Sequence, residues 1–137
     1  MQVHPPSDSR RPWGESETPY EELGGDPEVR RLVERFYDIV EETSPVLTAM
    51  LPADTRVSRE KLYEFLSGWM GGPPLYWERR GHPALRMRHA PFTIDRFAAE
   101  EWARCMAEAI TDTVSEPALA GFLSTELGTV ALQLQNA

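Results

Sequence analysis

A chain of 137 residues has room for one compact domain and too little for two ordinary ones. Its 22 acidic residues against 14 basic ones give a net charge of −8. That argues against nucleic-acid binding, which usually needs a basic face. No apolar run approaches the roughly 18 residues of a membrane span. The opening "MQVHPPSDSRRPWGESETP" lacks the apolar stretch of a secretion signal, and the single cysteine, Cys105, cannot form an internal disulfide. The expected location is the cytoplasm.

Residues 1–18 are rich in Pro, Ser, Gly and charge, which predicts a flexible N-terminal extension ahead of one domain over 19–137. Order is expected from "TPYEELGGD". From Asp26 the pattern turns helical. Val29, Leu32, Val33, Phe36, Tyr37 and Val40 share one helical face, with Asp26 as capping carboxylate and Pro27 in the first turn. Pro45 interrupts, and a short turn or helix through "PVLTAML" ends at Pro52. A further helix is expected from Asp54–Thr55 to about Met70, with Leu62, Phe65, Leu66, Trp69 and Met70 inward and Ser58 one turn before Leu62. "GGPP" stops it, and 71–84 reads as a loop. The next helix starts near Asp95 and carries Ala98, Trp102, Cys105, Met106, Ala109 and Ile110 on one face. The last starts near "SEPAL", with Ser115 as cap and Pro117 in the first turn. No strand pattern of convincing length occurs, so the class is all-α.

The stretch "LRMRHAPF" places His89 between arginines and a proline. Pro91 disfavours helical geometry at Ala90, so a short helix entering from Pro83 should end at His89. There the imidazole lies beside carbonyls without intrahelical partners. One ring nitrogen can donate to such a carbonyl, leaving the other a better metal ligand. Arg86 and Arg88 would suit the carboxylates of an anionic planar cofactor. Read locally, a lone histidine at a helix end is more often a surface residue or one that compensates the helix dipole. No second ligand stands nearby at zinc spacing, and His82 reads as a loop anchor.

The run "GGPPLYWERRGHPALRMRHAPF", the following "EEWARCM", the helix ending "RFYDIV" and the earlier "YEELGG" together resemble the group II truncated haemoglobins over residues 19–135. The resemblance implies a truncated globin fold, a two-over-two helical sandwich around haem b (iron protoporphyrin IX). His89 matches the proximal iron ligand, and Arg88 and Arg86 become candidates for the haem propionates. Tyr37 matches a tyrosine whose hydroxyl lies over the iron, and the same residue can also be an ordinary buried tyrosine with a backbone partner. Trp102 matches a distal tryptophan whose indole N–H only donates. Without the resemblance it reads as core. Ser58 falls where larger globins carry a distal histidine, and also suits the start of a helix. Leu62 falls where some relatives have glutamine. Phe65 is expected against the haem or on a path to it. Leu51, with Met50 beside it, stands where relatives usually have an aromatic residue.

These matches imply binding of oxygen, nitric oxide or other diatomic ligands. Oxygen handling, nitric oxide dioxygenation, peroxide chemistry and sensing all stay open, and no catalytic residue is assigned. Turnover would need an external reductase, because no flavin or nicotinamide motif is present. Without a distal acid–base group, peroxidase activity is expected to be weak. The alternative is a haem-free or weakly haem-binding helical interaction or sensor module. Leu51 favours it, while retention of His89, Tyr37 and Trp102 opposes it. The resemblance leaves a homodimer open.

Overall fold

The computed structural model describes residues 11–137. Its helices are α1 (Pro19–Leu23), α2 (Asp26–Thr43), α3 (Pro45–Met50), α4 (Arg56–Trp69), α5 (Leu75–Arg80), α6 (Leu85–His89), α7 (Arg96–Thr113) and α8 (Pro117–Gln133). No strand forms among the described residues beyond a single bridge between Arg11 and Gly14. None of these helices is long and apolar enough to cross a membrane.

The packing follows from the apolar faces. Every residue expected on the inner face of α2 is buried, and Ile39 joins them. That face meets α4 on one side and α7 on the other, while α7 packs most extensively on α8. The result is two helix pairs, α2 with α4 and α7 with α8, stacked as a two-over-two sandwich. Phe36, Leu66, Met106, Ile110 and Leu123 lie fully buried where the pairs meet. Each such side chain stabilises the fold by about 1.5–3 kcal/mol relative to exposure.

Several helix ends differ from expectation. Gly25, not Asp26, caps α2. The Asp26 carboxylate instead accepts the Tyr63 hydroxyl of α4, which ties two helices together. Gly24 and Gly25 turn the chain from α1 into α2 with φ of 116° and 83°, a region that favours glycine. Thr55 caps α4 by position only, because its hydroxyl donates to Glu41 at 3.2 Å and accepts from Arg59 at 2.9 Å. Glu116, not Ser115, is the N-cap of α8, with Pro117 in the first turn as expected. Asp95 caps α7, accepting from the Ala98 N–H at 2.8 Å.

The largest departure is α5, inside the stretch read as a loop. Pro73 and Pro74 lie ahead of the helix, where missing N–H groups cost little. Tyr76 buries its ring. Arg80 Nε and Arg79 Nη1 donate to the buried Glu64 carboxylate of α4 at 2.5 and 3.2 Å. Burial pushes the Glu64 carboxyl up, but hydrogen bonds from Arg80 and Arg79 outweigh it and hold the group below the usual carboxylate range. Breaking such a pair strands a buried charge, so α4 and α5 are locked together.

Of the expected extension over 1–18, residues 1–10 lie outside the described residues. Residues 11–18 fold back on the body. Trp13 sits edge-on to Phe122 of α8 at 5.2 Å and donates its indole N–H to the Ser16 carbonyl. Thr18 caps α1. Tyr20 lies flat against Gly72, where a Cβ would come within 2.3 Å of its ring. "YEELGG" and "GGPP" are thus two halves of one contact.

Candidate functional site

Helices α2 to α8 together enclose a mainly apolar cavity of about 520 Å³. That size is within the roughly 300–1,000 Å³ typical of ligand and cofactor sites. Of the residues singled out from the sequence, His89, Arg88, Tyr37, Trp102, Ser58, Leu62, Phe65 and Leu51 all line it. Arg86 does not: it is exposed on the outside of α6.

His89 is the last residue of α6, as expected, though Ala90 keeps helical angles (φ −55°, ψ −35°) despite Pro91. The helix ends because Pro91 has no N–H to continue the ladder. The chain tightens instead, with Ala90 N–H donating to Met87 and Phe92 N–H to His89. His89 Nδ1 lies 2.7 Å from the Leu85 carbonyl. A carbonyl only accepts, so Nδ1 carries a proton, and in the neutral ring Nε2 then holds the lone pair. Leu85 lines the same cavity, so one short helix supplies both the imidazole and the group that orients it.

The entry to α6 is strained and braced. Ala84 adopts φ 42° and ψ 53°, a left-handed conformation costing an alanine about 1–2 kcal/mol. Its N–H donates to His82 Nδ1 at 2.8 Å. The His82 ring leans on Trp77 at 4.6 Å, and its carbonyl accepts from Arg88 Nη2 at 2.9 Å. His82 is therefore the loop anchor expected of it. Arg88 also reaches the Arg80 carbonyl at 3.4 Å and lies over Tyr76 at 5.3 Å.

Tyr37 comes from α2, Trp102 from α7. Tyr37 is 8% exposed, and burial pushes its phenol up to about 12, against the opposing pull of the Arg59 charge. Arg59 lies 5.4 Å over the Tyr37 ring, held by Glu34, Asp38 and Glu41. The Tyr37 hydroxyl donates to the Ser58 carbonyl at 3.3 Å, long beside the usual 2.7–2.8 Å (about) for O–H···O. The contact is weak enough to yield to a better acceptor. Phe36 packs on both rings, 5.1 Å from each. The Trp102 indole N–H has no acceptor among the described residues.

Met50 and Leu51 both reach the cavity, so this part of its wall is covered by two flexible aliphatic side chains. Lys61, Tyr76, Phe92 and Ile94 also line it, although the sequence did not single them out. Lys61 lies between Ser58 and Leu62 in sequence but is polar and exposed, so an apolar-face pattern passes over it. Tyr76 sat in the stretch read as a loop.

Among the described residues no three His, Cys, Asp or Glu gather to cage a bare ion. One imidazole with a free Nε2 in an apolar cavity suits a metal that arrives with its other ligands, as iron does in a porphyrin. The comparisons agree. The family model described as bacterial-like globin matches residues 18–136. The chain is 37% identical over 118 residues to the group 2 truncated haemoglobin YjbI of Bacillus subtilis, covering 86% of this chain and 88% of that one. Among solved structures, the cold-adapted truncated haemoglobin of Pseudoalteromonas haloplanktis superposes with a TM-score of 0.86 at 40% identity, covering 88% and 99% of the two chains. The group II 2-on-2 haemoglobin of Agrobacterium tumefaciens gives 0.83 at 37%, covering 90% and 97%. Fold and cavity define a haem-binding globin, and within that class the chain belongs to the group II truncated haemoglobins.

Proposed function

We propose that this globin binds oxygen reversibly on haem b, with His89 as the proximal ligand and Tyr37 and Trp102 as donors to the gas. One observation carries the reading: His89, with Nδ1 engaged, lines the same cavity as a weakly held tyrosine hydroxyl and an indole N–H that has no acceptor among the described residues. Haem held by His89 would supply an iron able to bind a diatomic gas. The chain's own part is to hold the ligand nitrogen, exclude water with an apolar wall and offer two donors that need little rearrangement. A relative from Bacillus subtilis is described as oxygen-avid, which fits two donors in one pocket. Spectra of the ferric, ferrous and carbon monoxide forms of haem-supplied protein test the reading. A protein without a Soret band would leave the helical interaction module as the better account. Sustained chemistry such as nitric oxide dioxygenation would draw electrons from an external reductase.

In this reading Arg88 and Lys61 offer charge to the propionates, and Arg86 does not. Arg88 has a second role, because its guanidinium already holds the carbonyls of Arg80 and His82. Arg88→Ala should therefore speed haem transfer to an acceptor globin through two routes. An exposed ion pair contributes about 0–1 kcal/mol and is screened by salt. The bonds to carbonyls are not. High salt should narrow the difference between variant and parent without closing it. Identical transfer rates at all salt concentrations would exclude both roles.

Leu51 caps α3 and is half-buried at the cavity. An aromatic ring there would cover more of a porphyrin and add about 0.5–1.5 kcal/mol of ring contact. Leu51→Phe should slow haem transfer, unless overpacking costs about 1–3 kcal/mol, which a thermal melt of the same variant reveals. A variant as stable as the parent that loses haem no more slowly would assign the haem contact to Met50 instead.

A further inference from the structure

The connection from α6 to α7, residues 90–95, carries Phe92 and Ile94 into the cavity wall a few residues after His89. It has no regular structure, so its backbone polar groups need partners from elsewhere. They come from the far end of the sequence. Asn136 Oδ1 accepts the Ile94 N–H at 2.8 Å, and its Nδ2 donates to the Phe92 carbonyl at 2.9 Å. The backbone N–H groups of Asn136 and Ala137 both donate to the Ile94 carbonyl, at 2.8 and 3.2 Å. Two residues earlier, Leu134 lines the cavity and packs against the cluster of Ile94, Ala98 and Ala99.

The side chain is chemically suited to this place. A carboxamide offers an acceptor and a donor from one planar group. Here it closes on two backbone groups two residues apart, much as a neighbouring β-strand would. Asp has no donor, and Ser is too short to serve both. An exposed asparagine after the last helix would ordinarily be free to move. This one joins the end of α8 to the segment that leaves the histidine.

We propose that Asn136 is a positioning residue for the proximal wall. It fixes Phe92–Ile94 relative to α8 and so limits the tilt available to the His89 imidazole. The inference rests on His89 being the iron ligand. Asn136→Ala removes both side-chain bonds and leaves the backbone pair. Haem transfer to an acceptor globin should then run roughly 3- to 10-fold faster, the scale expected for one or two partly exposed hydrogen bonds. The iron–histidine stretching band of the ferrous protein, read by resonance Raman, should broaden or shift. A residue that merely stabilised the fold would not move that band. Asn136→Asp keeps the acceptor for Ile94 and should fall between parent and Asn136→Ala.

Parental transfer rate and an unchanged iron–histidine band in Asn136→Ala overturn the proposal. A faster rate with the band unchanged also overturns it, since the role would then be structural only. If Asn136→Ala does not fold, Asn136→Asp decides by the same two readouts. If the parent takes up no haem, it is the ligand assignment that has failed. Amide exchange at Ile94 in the haem-free protein then reads the clamp by itself: faster exchange in Asn136→Ala supports it, and parental exchange overturns it.

Discussion

His89→Ala is expected to abolish specific haem binding while leaving the helical fold in place. The imidazole is half-buried, and its only hydrogen bond among the described residues runs to the Leu85 carbonyl of its own short helix. Removing it therefore takes away little that holds the sandwich together, whose core lies between α2, α4, α7 and α8. What it removes is the only histidine on the cavity wall among the described residues. His82 cannot substitute, because its Nδ1 is engaged by the Ala84 N–H, its ring leans on Trp77, and it does not line the cavity. The far-ultraviolet dichroism should stay close to that of the parent, and the Soret band after haem addition should be weak and unstructured. Added imidazole, entering the space left by the side chain, should restore part of it. A variant with parental haem content and an unchanged ferrous spectrum would move the ligand assignment elsewhere.

What could be read from the sequence was what depends on local pattern. The inner face of α2, its interruption at Pro45 and the end of α6 at His89 are all found. Ala90, however, keeps helical angles instead of the extended ones expected before Pro91, and it is the missing N–H of Pro91 that ends the helix. Tyr37, Trp102 and His89 were singled out through runs that resemble a known family, and the structure brings all three to one cavity. What was missed depends on partners far away in sequence. Helix α5 sits behind "GGPP" and looks like a loop until the buried Glu64, some 16 residues earlier, is seen to hold Arg80. Asp26 has the sequence of a cap, but Tyr63, 37 residues on, takes its carboxylate. Arg86 and Arg88 are indistinguishable as charges beside a histidine. Only the helix geometry turns one toward the cavity and the other away from it. Asn136 gave no signal, because an amide near a chain end acquires meaning only from the two backbone groups it meets 42 and 44 residues back.

Tyr37→Phe is expected to accelerate oxygen dissociation by about 10- to 150-fold, the equivalent of losing one hydrogen bond to a strongly polar partner, about 1.5–3 kcal/mol. Carbon monoxide dissociation should change far less, because that ligand develops less negative charge. The variant costs the fold little. It removes only a long 3.3 Å bond to the Ser58 carbonyl, and the ring keeps its packing on Phe36. Trp102 sets the lower end of the range, since its indole N–H remains as a donor, and Trp102→Phe combined with Tyr37→Phe should exceed either alone. The phenol's elevated pKa adds a pH signature. Burial raises it from 10 to about 12 in the folded protein, with Arg59 pulling the other way. A raised pKa means that folding holds the proton more tightly than the unfolded chain does. That contribution to stability is complete below about pH 10 and is lost between about pH 10 and 12. The donor should therefore serve unchanged through neutral and mildly alkaline solution, and oxygen release in the parent should quicken only toward pH 12, as the phenol becomes a phenolate. Tyr37→Phe should lack both that quickening and this share of the alkaline fall in stability. Equal acceleration of oxygen and carbon monoxide would show that Tyr37 acts by filling space. A parental oxygen rate in the single variant, with a large effect in Trp102→Phe, would assign the bond to the indole.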